Sequence, residues 1–136
     1  MTRLTAAFLE QASHCDKLGS AFMARLLRLL AQHWNIEGAL AQRLEAWPGD
    51  IGPKGASLPL RLASALHALV LNGQSAQLRS AYPPHHTNDD QLIKAVRTTL
   101  TRHGRFIENW LTYPPQTNEV ARSAGLIPAA MWLQHQ

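Results

Sequence analysis

The chain has 136 residues, 46% of them hydrophobic, with one cysteine and a formal net charge of +4. That is enough apolar material for one ordinary domain with its own core, and one cysteine excludes an internal disulfide or a cysteine-based zinc site. The basic residues read as scattered (Arg25, Arg28, Arg43, Arg61, Arg79, Arg97, Arg102, Arg105) rather than interleaved with aromatics on one face, so a nucleic-acid partner is not expected.

The opening residues meet Glu10 and Asp16 too soon to hold the apolar core of a signal peptide. No run approaches the roughly 18 apolar residues of a membrane helix. A soluble protein with no membrane partner, in the reduced cytoplasmic compartment, is expected.

Residues 4–16 predict a first helix, with Leu4, Ala7, Phe8, Gln11 and Cys15 on one face. His14 and Cys15 are adjacent and diverge by about 100° on a helix, so Cys15 reads as a small buried side chain rather than a nucleophile. Gly19 suits the end of this helix and Ser20 the start of the next. Residues 20–34 carry the broad apolar stripe Phe22, Met23, Leu26, Leu27, Leu29, Leu30 and Trp34, the pattern of a core helix. Asn35 is expected to cap a short helix over 36–46 that Pro48 ends.

Residues 48–58 form the longest break in the chain. Three glycines and Lys54 suggest a phosphate loop, but Gly-Lys-Ser/Thr is missing and no strand precedes it. It reads as a structured loop with Asp50 and Lys54 at its polar tips, and an active-site loop stays open, since long irregular loops in compact domains are often functional. Pro59 sits at a helix start, where its missing N–H costs nothing. Residues 59–72 are apolar nearly all round, which marks a central helix. Within it Arg61, Ser64 and His67 lie at i, i+3 and i+6, on one strip. His67 reads as a core histidine bonded to backbone, with a site role as the alternative.

Asn72-Gly73 closes that helix, and a short segment, 75–81, leads to Tyr82-Pro83-Pro84-His85-His86-Thr87-Asn88-Asp89-Asp90. The histidines and aspartates there have ligand-type side chains, yet paired histidines after two prolines read as an exposed loop, and no metal is expected. Asn88 or Thr87 caps the following helix, with Asp89 and Asp90 at its positive end. One long helix is expected from 89 to 112, although Gly104 could bend or break it. Pro114-Pro115 then stops that helix, and Thr117, Asn118 and Glu119 start a new one over 118–134. Gln116, Thr117, Asn118, Glu119 and Arg122 thus make a dense polar corner at the head of an apolar helix. No period-2 segment of useful length occurs. The expectation is an all-α fold: a single compact domain over 1–136, of six or seven helices in orthogonal or bundle-like packing.

Several segments carry a resemblance: Gln11-Ala12-Ser13-His14-Cys15, Ser20-Ala21-Phe22, Leu58-Pro59-Leu60-Arg61-Leu62-Ala63, Ala65-Leu66-His67-Ala68-Leu69-Val70-Leu71, Tyr82-Pro83, and above all Pro115-Gln116-Thr117-Asn118-Glu119-Val120. Through them nearly the whole chain resembles a bacterial domain-of-unknown-function family, number 2332. The resemblance implies a longer architecture, in which members continue past the equivalent of Ile127–Leu133 into a Glu-x-Gly-x-x-x-Gly-like turn. That turn is similar to the first motif of class I S-adenosylmethionine methyltransferases, which holds its ligand at a helix N-terminus. The chain ends at Gln136 before such a turn, so no cofactor is expected here, and S-adenosylmethionine only with a further C-terminal segment.

Two functions follow as expectations. The first is a helical domain, non-catalytic alone, capping its own or a separate methyltransferase-like domain. Gln116, Thr117, Asn118, Glu119 and Arg122 would then face the partner's cleft, with His67, Arg61 and Asp50 on the same rim. The second is a self-contained homodimeric interaction module anchored by Trp34, Trp47, Trp110 and Trp132. A small independent enzyme is disfavoured, since neither Gly-x-Ser-x-Gly nor His-Glu-x-x-His is present and no catalytic residues are assigned.

Overall fold

The computed structural model describes residues 2–55 and 57–112, which carry seven α-helices and no strand. They are α1 (Arg3–Lys17), α2 (Ala21–Gln32), α3 (Ala39–Glu45), α4 (Leu58–Leu71), α5 (Ala76–Ala81), α6 (Asp89–Arg102) and α7 (Gly104–Thr112). The expected helix over 118–134 lies outside the described residues.

Local chemistry accounts for most of the boundaries. Thr2 and Thr5 form a reciprocal capping box at the head of α1. At its other end Gly19 adopts φ 83°, and the amides of Gly19 and Ser20 return to the carbonyls of Asp16 and Cys15. This closure satisfies two orphaned carbonyls and turns the chain directly into α2. Asn88 and Gln91 repeat the capping box at α6, where Asp89 and Asp90 occupy the first turn.

Two expected elements differ. Asn35 does not cap α3, which begins at Ala39 after Gly38. Gly38 has φ 104°, a backbone conformation open to glycine and unfavourable for other residues, so it sets the later start. The single long helix expected over 89–112 is two helices, broken at His103. Ending α6 at Arg102 lets the chain redirect, so that α6 packs on α5 and α2 while α7 packs on α4.

All seven helices contribute buried apolar residues to one cluster. α1 and α2 make the most extensive helix pair, and α4 touches α1, α2, α5 and α7. Twelve of the fourteen residues of α4 are buried, as expected of a central helix. Burying a Leu side chain of the kind found at Leu62, Leu66 and Leu69 stabilises by about 1.5–3 kcal/mol. Among the described residues no helix is long and apolar enough to cross a membrane.

Candidate functional site

The polar strip of α4 is the natural place to look for chemistry, because it is polar material inside an otherwise apolar helix. Arg61 donates from Nη1 to the carbonyl of Leu111 at 3.1 Å. Four residues further along the sequence stands Pro115, which has no N–H to offer that carbonyl. One turn on, Ser64 Oγ accepts a hydrogen bond from Trp110 Nε1 at 3.1 Å. Arg61 and Ser64 together fasten α7 to α4, and within α7 the rings of Phe106 and Trp110 stack with centres 5.6 Å apart.

His67 takes a different partner. It is 1% exposed, and Nδ1 lies 2.7 Å from the hydroxyl of Tyr82, not against backbone as expected. Tyr82 is also buried, with its ring edge-on to His67 and to Phe22. Burial disfavours the imidazolium and lowers the His67 pKa to about 3, and it pushes the Tyr82 phenol upward. Both side chains are therefore neutral near pH 7. His67 Nε2 is buried and has no hydrogen-bond partner among the described residues. Tyr82, Val70, Leu71, Pro83, Pro84 and His85 line a recess of about 290 Å³ at this end of α4.

Asp50 is exposed and turns its carboxylate back on its own loop, accepting from the Gly52 amide at 2.9 Å. The loop is tied down elsewhere too. Arg3 donates to the carbonyls of Gly49 (2.7 Å) and Trp47, and the Leu58 amide bonds the Ile51 carbonyl. A Cβ on Gly55 would stand 2.2 Å from the Asp50 carbonyl oxygen, so only glycine fits that approach. Asp50, Arg61 and His67 thus share no hydrogen-bond partner: one serves its loop, one α7, one Tyr82. Gln116, Thr117, Asn118, Glu119 and Arg122 lie outside the described residues.

The remaining candidates are engaged structurally. Asp89 pairs with Arg25 at 2.7 Å, and Arg25 also holds the Thr87 carbonyl. Among the described residues no group of three or more His, Cys, Asp or Glu side chains is placed to hold a metal ion. Burial raises the Cys15 pKa to about 11, which keeps it a thiol. Trp34 donates to Glu45 at 3.1 Å, and the Arg43 guanidinium lies 5.2 Å from the centre of the Trp47 ring. Trp132 lies outside the described residues. Tyr82 and Phe22 are the members of this arrangement that sequence reasoning missed. The available signal was the demand itself: a histidine inside an apolar helix needs a partner, and Tyr82 ends the next short helix.

The fold and its internal polar contacts define an all-α domain built around one buried helix. A family model described as "Uncharacterized protein conserved in bacteria (DUF2332)" matches residues 5–136, and the chain belongs to that family. No curated protein and no solved structure matches it.

Proposed function

We propose that this chain is a helical module, without chemistry of its own, that acts by packing on a methyltransferase-like domain carried on the same or another chain. The observation that supports this reading is the use made of the polar strip on α4. Arg61 and Ser64 secure α7 and His67 is paired with Tyr82, so the side chains with the most chemical potential serve internal docking. In this reading Arg61 fixes the end of α7, from which the chain runs on toward the corner of Gln116, Thr117, Asn118, Glu119 and Arg122. That corner would face the partner's ligand cleft, where the Arg122 guanidinium suits a bidentate carboxylate contact.

The test is light scattering of the purified 136-residue protein, together with thermal shifts in S-adenosylmethionine. The same measurements are made after adding a methyltransferase-like domain taken from a longer family member. The expected result is no shift for the chain alone and a defined complex on mixing. Stabilisation of the isolated chain by S-adenosylmethionine would overturn the proposal. A stable homodimer that ignores the added domain would favour the self-associating module instead.

A further inference from the structure

Between Asp90 and Glu108 the chain carries Lys94, Arg97, Arg102 and Arg105 and not one carboxylate. These four account for the whole formal excess of +4, because the other nine basic and nine acidic residues cancel. The helix gathers what the sequence spreads out. Leu92, Ile93, Ala95, Val96, Thr99 and Leu100 are the buried side of α6, and Lys94, Arg97, Thr98, Thr101 and Arg102 recur at helical spacing away from it, starting one turn beyond the exposed Asp90 on the same side.

Elsewhere Arg25, Arg28 and Arg43 are each neutralised by a carboxylate, from Asp89, Asp16 and Glu108. None of the four cations of this face has an ion pair among the described residues. Arg97 is fixed instead by donating to the His33 carbonyl at 3.0 Å, at the C-terminal end of α2. Arg97, Thr98, Thr101 and Arg102 line a shallow recess of about 280 Å³. Immediately beyond, the first turn of α7 holds exposed Arg105 and no acidic residue, although a helix N-terminus favours negative charge.

We propose that this face of α6 and the start of α7 binds the phosphate backbone of a nucleic acid, through Lys94, Arg97, Arg102 and Arg105 with the threonine hydroxyls between them. The composition of the face selects this partner. A protein partner calls for an apolar centre within the patch, which charged and hydroxyl side chains do not supply. A membrane surface calls for apolar side chains to insert, and the one exposed large hydrophobic side chain of the described residues, Leu71, belongs to α4. Phosphate contacts, by contrast, are made by arginine, lysine and threonine on a wet, positive surface. Phosphate contacts of this kind carry no base-sequence information of their own.

The test is fluorescence anisotropy with short labelled single-stranded and duplex oligonucleotides at about 50 mM salt, followed by titration of the salt. Binding is expected, with a log–log salt slope of about −3 to −4 on the duplex, as four phosphate contacts require. Lys94→Glu/Arg102→Glu should weaken binding at least about tenfold at that salt. Lys17→Glu/Lys54→Glu makes the same change in net charge at exposed sites off the face and should leave affinity within about twofold. Absence of binding would overturn the proposal, as would equal loss in the two double variants. Stronger capture by phosphatidylglycerol vesicles than by oligonucleotide would assign the face to a lipid surface and overturn it as well.

Discussion

The hydroxyl of Tyr82 stands 2.7 Å from Nδ1 of His67, a polar pair closed inside the core between α4 and the end of α5. Removing one member leaves the other buried and unsatisfied, which costs about 1–3 kcal/mol. Tyr82→Phe keeps the ring against Phe22 and removes only the hydroxyl. Its denaturant midpoint should fall by an amount in that range, whereas an unchanged midpoint would mean that the bond adds nothing.

The same pair sets a pH dependence. The folded state holds the His67 proton less readily than the unfolded chain, so unfolding takes up a proton between the two pKa values. The His67 contribution is therefore complete above the ordinary value of 6.5 and is lost as pH falls toward about 3. The slope is up to about 1.4 kcal/mol per pH unit in that window. Urea titrations from neutral pH down to about pH 4.5 should show a shallower decline for His67→Gln than for the parent chain. Parallel declines would show that His67 does not titrate in this way.

Two glycines should respond in opposite directions. At Gly104 an added Cβ meets nothing within 4 Å, and the residue opens α7 at an ordinary φ. Gly104→Ala should therefore stabilise by about 0.4–1 kcal/mol, by restricting the unfolded chain. At Gly55 the added carbon meets the Asp50 carbonyl at 2.2 Å, so Gly55→Ala should destabilise by about 1–3 kcal/mol. Thermal melts of the two variants read both signs at once.

At the head of α6, the Asn88 side chain accepts from the Gln91 amide at 2.8 Å, and the Gln91 side chain accepts from the Asn88 amide at 3.2 Å. Asn88→Ala should cost about 1 kcal/mol. Asp would restore most of that loss at the same position and Leu would not, which separates capping from loss of packing.

Fastening α7 to α4 through Arg61 and Ser64 predicts a local effect. Arg61→Met frees the Leu111 carbonyl while keeping the aliphatic stem. Amide exchange in the last turn of α7 should accelerate by about tenfold, with α1 and α2 unchanged, as expected for loss of about one hydrogen bond at a helix end. Uniform acceleration across all helices would show that the bond acts only on global stability.

The all-helical class and the central place of α4 were legible because apolar side chains recur at helical spacing and nearly encircle residues 59–72. The break at His103 was not legible from periodicity. Leu92, Val96 and Leu100 continue in phase into Ile107 and Leu111, and only the packing of α7 on α4 decides between bent and straight. Asn35 and Gly38 both offer a helix start, and backbone geometry at Gly38 settles the contest. His67 could be flagged as buried, but its partner is a long-range neighbour that no local rule names. The cations of α6 looked dispersed along the sequence, and winding the helix collects them on one side.

The grip of Arg3 on the carbonyls of Trp47 and Gly49 ties the beginning of the chain to a loop that lies far along it. Arg3→Ala is therefore expected to speed amide exchange in the first turn of α1 and in this loop together. A truncation or fusion that displaces Arg3 would release both. On that expectation the first turn of α1 opens as one unit with the loop, and proteases directed at the loop would report on whether Arg3 is held.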